Sequence, residues 1–199
     1  MIASQEDTAA GKLHGRTRLL PHGVERIVLT GFMGAGKTTV SRALAALLGW
    51  EFLDLDLHLE SRTQSTIPDL FKTFGETHFR RLESAALANA LARTKTVLAL
   101  GGGTPEELAN RLLLEQTPGM VVVFLDAPFS VLFDRCMLDG IGSPEQARPV
   151  LTSPERAEAR FAVRLPLYRR LARVTLATST LTSAECAHAL YLQLTEPPR

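Results

Sequence analysis

From Glu25 onward, short continuous apolar runs alternate with stretches in which apolar residues return at helical spacing. Arg26 to Thr30 (RIVLT) is a β-branched run that stops at glycines, and Thr38 to Leu48 then has helical periodicity as far as Gly49. This predicts strand, loop and helix in succession. Glu51 to Glu60 (EFLDLDLHLE) alternates with period two, of which the first half is read as strand. Ile67 to Phe74 and Thr77 to Arg93 are helical in period, separated by Gly75, and Thr96 to Leu100 (TVLAL) is an apolar strand running into three glycines. A helix is expected to open at Pro105, where a missing N–H costs nothing. Met120 to Leu125 (MVVVFL) reads as a further strand, Pro128 to Met137 as a helix, and Asp139 to Pro149 as a polar loop. Pro154 to Leu171 (helix), Val174 to Ala177 (strand) and Ser183 to Leu194 (helix) complete the pattern.

Five such strands separated by helices predict a three-layer α/β/α architecture around a five-stranded parallel sheet covered on both faces, with right-handed crossovers. Ligands in such folds sit at the carboxyl ends of strands, so the informative loops follow Thr30, Asp54, Leu100 and Leu125. Residues 25–199 are expected to form one domain, and residues 1–24 a disordered tail without the basic-then-apolar order of a secretory signal.

Composition narrows the classes. The 199 residues are 45% apolar, sufficient for a sizeable core, and 22 Lys+Arg against 21 Asp+Glu leave a net charge of +1, which argues against generic nucleic-acid binding. No apolar run approaches the roughly 20 residues of a membrane span. Cys136 and Cys186 are in no metal-ligand spacing and too few for a disulfide framework, so both read as reduced thiols of the cytosol.

Gly31 to Thr38 (GFMGAGKT) matches G-x-x-x-x-G-K-[ST] where its mechanism requires it, after a strand and at the start of a helix. Backbone N–H groups of Gly34, Ala35, Gly36 and the following Lys37, Thr38 and Thr39 are placed to cradle ATP phosphates. Lys37 reaches the β- and γ-phosphates and Thr38 ligates Mg²⁺. Asp54 and Asp56 lie two residues apart; in an extended chain both carboxylates face the phosphate loop. One could hold Mg²⁺ through water and the other accept a hydrogen bond, or a proton, from an acceptor hydroxyl. Arg80 and Glu83 share a helix face, as a structural ion pair or as part of a site. Gly101, Gly102 and Gly103 after a buried strand indicate something approaching the backbone closely. Arg135, Arg148 and Arg164 surround the polar loop of the second half.

GFMGAGKTTVSRALAALLG, FLDLD, IPDLFKTFGETHFRRLE, ALGGGT, ARPVL and RLPLY resemble, in order and spacing, the motif series of the shikimate kinase family, from about Arg26 to Ala177. The resemblance implies a P-loop kinase fold with a mobile lid at about residues 138–150. It also implies ATP-dependent phosphorylation of the shikimate 3-hydroxyl with Mg²⁺. Carried over, Asp56, Arg80, the triple glycine (Gly102 above all) and Arg164 hold the acceptor, and Asp54 lies near Mg²⁺. Arg135 flanks adenine and Arg148 closes on the phosphates. Lys37, Asp56 and Arg148 are then the catalytic groups, with Asp56 aligning the attacking hydroxyl. The shikimate carboxylate suits two guanidinium groups. A cytoplasmic monomer is expected, with shikimate and ATP as partners and neither nucleic acid nor membrane.

Three features depart from the family pattern: a longer stretch between Arg135 and Arg148, RPVL in place of RPLL, and no proline in ATSTLTSAE. Another small-metabolite kinase of the same fold, such as one for gluconate, is the alternative enzyme. A catalytically silent nucleotide-dependent module is the alternative class, against which Lys37, Thr38, Asp54 and Asp56 speak.

Overall fold

The computed structural model describes residues 20–140 and 153–195. Strands β1 (Arg26–Thr30), β2 (Glu51–Asp54), β3 (Thr96–Ala99), β4 (Met120–Asp126) and β5 (Val174–Ala177) form one sheet in the order β2-β3-β1-β4-β5. Every pairing is parallel, with Arg26 in register with both Thr96 and Met120. The chain leaves β1 toward one edge, returns, and crosses to the other side after β3, so a crevice opens at the carboxyl end of β1.

Burial follows the pleat. Ile27 and Leu29 face a core layer completed by Val40 and Leu44 of α1 (Lys37–Leu48) and Leu190 of α7 (Ser183–Thr195). Val28, between them, faces the opposite layer with Leu98 and Val122. There it meets α2 (Leu55–Thr63), α3 (Ile67–Leu91) and Leu114 of α4 (Leu108–Gln116). Continuous apolar runs in β1, β3 and β4 are thus what a strand buried on both faces requires. Helices α5 (Phe129–Gly140) and α6 (Pro154–Leu171) flank the carboxyl end of the sheet. Phe129 of α5 and Phe161 of α6 meet at 5.7 Å between ring centroids.

Several sequence-based boundaries are corrected. The alternating EFLDLDLHLE is strand only to Asp54, whose Oδ1 accepts hydrogen bonds from the N–H groups of Asp56 (3.0 Å) and Leu57 (3.3 Å) and so caps α2. Leu55 and Leu59, four apart, are buried while Leu57 points outward, a helical division that period two cannot distinguish in so short a run. Pro105 opens only a 3₁₀ turn (Thr104–Glu106), with α4 starting at Leu108. Helix α5 continues through Asp139 to Gly140, into the segment expected to be loop. Gly75 breaks α3 as its position predicted, at φ 76°, ψ 173°. Within the segment expected to be tail, Leu20 and Val24 pack on the core and Val24 N–H donates to the Pro21 carbonyl. Residues 1–19, and most of the expected lid with Arg148, lie outside the described residues.

Candidate active site

The loop between β1 and α1 is shaped by close approach. Gly34 has φ 76°, and a Cβ there would lie 2.3 Å from the Leu132 carbonyl oxygen of α5, so only glycine lets the loop lie against that helix. Gly36, left-handed, is the N-cap of α1 without a side-chain cap, which leaves the first N–H groups of the helix directed outward for an anion. Lys37 Nζ donates to the Phe32 carbonyl at 3.0 Å, folding the ammonium over the loop. Thr38 Oγ1 donates to Asp54 Oδ2 at 2.7 Å. Gly34 to Val40 line a cleft of about 520 Å³ closed on the far side by Arg135, Leu138 and the segment Thr178 to Cys186. Arg135 donates to the Thr178 carbonyl at 2.6 Å, fixing the wall between α5 and the end of β5.

A second cluster of polar groups lies beside it, built on the three glycines after β3. A Cβ on Gly103 would stand 3.0 Å from Arg80 Nη2 and 3.0 Å from Arg164 Nη2, so the two guanidinium groups converge on one point above that residue. A Cβ on Gly101 would lie 2.7 Å from Asp56 Oδ1, and one on Gly102 would be 3.7 Å from the Gly31 carbonyl oxygen. The glycine loop therefore lies close to the phosphate loop, to Asp56 and to both arginines.

The arginines are held from behind. Arg80 Nη1 donates to Glu83 Oε2 at 2.8 Å, and Glu83, 2% exposed, accepts through its other oxygen from Thr104 Oγ1 at 2.8 Å. Burial works against the charge of Arg80, but Glu83, Glu76 and Glu106 outweigh it and raise the pKa of the guanidinium further above its ordinary value. Arg164 is 6% exposed, donates to Glu106 Oε2 at 2.9 Å and stacks its cation 5.9 Å from the Phe32 ring centroid. Its Nε has no hydrogen-bond partner among the described residues. Tyr168, one turn on, donates to the Gly102 carbonyl at 2.6 Å; burial holds its phenol well above its ordinary value, the Arg164 charge opposing. Two fixed guanidinium groups converging beside a phosphate loop can hold a carboxylate.

Comparison with known proteins decides the family, because the shikimate kinase family model matches residues 33–195. The chain belongs to the shikimate kinase family. A shikimate kinase of Thermobifida fusca is 41% identical over 169 residues, covering 84% of this chain and 93% of that one. One of Halorhodospira halophila is 44% identical over 157 residues, covering 77% and 84%. A solved shikimate kinase from Acinetobacter baumannii, in complex with shikimate, superposes with a TM-score of 0.77 at 38% identity over 86% of this chain and 92% of its own. A gluconokinase from Sinorhizobium meliloti, 21% identical with a TM-score of 0.52, shares the fold alone.

Of the site residues expected from the sequence of this shikimate kinase family member, two groups assemble. Gly34 through Thr39 and Arg135 line the cleft, while Asp56, Arg80, Gly101 to Gly103 and Arg164 surround the second site. Asp54 and Asp56 do not extend side by side as expected: Asp54 ends β2 and Asp56 is already in α2, which gives the two carboxylates separate tasks. The ion pair of Arg80 is present, Glu83 gripping Nη1, while Nη2 bonds Glu76 and lies toward Arg164. Glu106 and Tyr168 were missed as site residues. Their partners are 58 and 66 positions away in the chain, so no local pattern carries the signal.

Proposed function

We propose that the protein transfers the γ-phosphoryl group of ATP to the 3-hydroxyl of shikimate, giving shikimate 3-phosphate and ADP, a step of chorismate and aromatic amino-acid biosynthesis. The observation that carries the assignment of the acceptor site is the convergence of Arg80 and Arg164 on one point over Gly103, next to the phosphate loop. Family membership favours shikimate over gluconate, to whose kinase this chain is related only in fold.

In this reading the N–H groups of Gly34 to Thr39 hold the phosphates, and Arg135, with the Thr178 to Ser183 segment, bounds the adenine. Arg80 and Arg164 clamp the acceptor carboxylate, and Gly102 and its neighbours offer backbone close to the ring. Asp56 then accepts the proton of the 3-hydroxyl as its oxygen bonds to the γ-phosphorus and the bond to the β-phosphate oxygen breaks, with ADP leaving. Lys37 neutralises the charge on the transferring group, and Arg148 is assigned the corresponding role from the lid. Most of the acceleration is positioning and charge compensation.

The Thr38 hydroxyl and Asp54 carboxylate, 2.7 Å apart, are hard oxygen donors suited to Mg²⁺. Among the described residues no group of three or more His, Cys, Asp or Glu could hold a metal ion, which fits a cation bound mainly through phosphates and water. When bound, Mg²⁺ neutralises the phosphate oxygens and orients them for in-line transfer. No helix of the described residues is long and apolar enough to cross a membrane. Two buried cysteines outside any disulfide accord with the cytoplasm, and a monomer is proposed.

Lys37→Met tests the phosphate site. Turnover of shikimate, followed as ADP release, is expected to fall about a hundredfold or more with the fold retained by circular dichroism. Turnover close to that of the unmodified protein contradicts the assignment.

A further inference from the structure

Arg80 and Arg164 are mostly buried, with side chains 13% and 8% exposed, and they point like charges at one place. Such an arrangement is costly in a low-dielectric site unless a carboxylate compensates it. Three carboxylates do so: the exposed Glu76 accepts from Arg80 Nη2 at 3.2 Å, while Glu83 and Glu106 lie deeper and act in different ways. Glu83 is fixed, gripped by Arg80 through one oxygen and by Thr104 through the other, and its side chain is 3% exposed. Glu106 uses Oε2 alone, 2.9 Å from Arg164 Nη2 and 3.5 Å from Arg80 Nη2, and its side chain is 30% exposed. Its backbone is anchored separately, by N–H donation to the Gly103 carbonyl at 2.9 Å and by its carbonyl accepting from Arg111 Nη1 at 2.7 Å. The carboxylate can therefore swing toward solvent while the chain stays in place.

We infer that Glu106 is the exchangeable counter-ion of the acceptor clamp: its carboxylate bridges the two guanidinium groups until the carboxylate of the incoming acceptor displaces it. The inference rests on the reading of Arg80 and Arg164 as the carboxylate clamp. Exchange of one carboxylate for another keeps the buried positive charge compensated throughout binding. The consequence is a weaker grip on the acceptor, because every binding event must first break the contacts to Glu106. Glu106 acts through the arginines and is a positioning residue, not a catalytic one.

Glu106→Gln keeps the shape and removes the competing charge, and Glu106→Ala removes the arm; using both guards against misfolding of either. Shikimate binding is measured by calorimetry without nucleotide. Competitive inhibition is measured with cyclohex-1-ene-1-carboxylate, a probe with the acid but no hydroxyls, and with the neutral cyclohex-1-ene-1-methanol. Losing a charge-assisted contact of this kind predicts that the shikimate Kd and the Ki of the acid both fall about tenfold, with the alcohol unaffected. Arg164→Lys is measured alongside, with weakened shikimate binding expected. If Arg164→Lys weakens binding but the Glu106 variants leave the Kd unchanged or raise it, Glu106 does not compete with the acceptor and the inference falls alone. Equal gains for acid and alcohol also overturn it, since they indicate general loosening of the pocket. If Arg164→Lys binds shikimate normally, the clamp reading fails and the inference with it.

Discussion

Gly103 shows how much of this site depends on one missing methyl group. Its backbone, at φ −93° and ψ −10°, suits any residue, so alanine there is not strained by conformation. The added Cβ would instead stand 3.0 Å from both Arg80 Nη2 and Arg164 Nη2, and these are the movable ends of long side chains. The protein should therefore fold and melt nearly normally as Gly103→Ala, while the guanidinium groups are pushed off their common point. We expect the KM for shikimate to rise about tenfold, the order of one lost charge-assisted hydrogen bond, with a much smaller change in the KM for ATP. A large loss of thermal stability with unchanged shikimate KM would assign the glycine to folding instead. The same residue scale explains what could be read beforehand: three consecutive glycines are visible in the sequence, but the atoms they make room for are not.

At the scale of elements, α6 ties the acceptor site to the sheet through Tyr168, whose hydroxyl donates to the Gly102 carbonyl. The phenol is fully buried, and burial raises its pKa above the ordinary 10.0, with the Arg164 charge opposing. On unfolding, the phenol returns to its ordinary value, so above pH 10 the unfolded chain loses a proton that the folded chain keeps. Stability from this group is fully present below pH 10 and declines as pH rises from there, by at most ~1.4 kcal/mol per pH unit. Tyr168→Phe should cost about 1–2 kcal/mol at neutral pH through the lost hydrogen bond, and its melting temperature should fall less steeply above pH 10 than that of the unmodified protein. Identical alkaline slopes would remove Tyr168 from the linkage. Elements differ in how openly the sequence declares them. β1, β3 and β4 are legible because both faces are buried and the whole run is apolar. The β2–α2 boundary is hidden because Asp54 is at once the last strand residue, the cap of the helix and the partner of Thr38, and an alternating run satisfies strand and helix templates over so few residues.

At the scale of the whole molecule, the phosphate loop could be read from eight adjacent residues because its ligand groups are mostly backbone, and the alternation of strands and helices, α2 excepted, followed from periodicity. The acceptor site could not be completed in that way. It draws on α2, α3, the loop after β3 and α6, and the contacts that define it, Arg164 to Glu106 and Tyr168 to Gly102, exist only once the sheet has brought these together. The sheet supplies both loops from its carboxyl end: a Cβ on Gly102 would be 3.7 Å from the Gly31 carbonyl, so an acceptor held at the glycines would lie against a phosphate held at the loop.

The central claim is that these adjoining sites phosphorylate shikimate, and ADP release from ATP and Mg²⁺ with a panel of acceptors tests it most directly. With the full chain at equal acceptor concentrations, shikimate should drive turnover at least about a hundredfold above gluconate and above buffer alone, because an acceptor that leaves the polar groups of the clamp and Asp56 mismatched loses several kcal/mol of transition-state binding. Gluconate turned over as well as shikimate, or release no faster with shikimate than with buffer, would contradict the account.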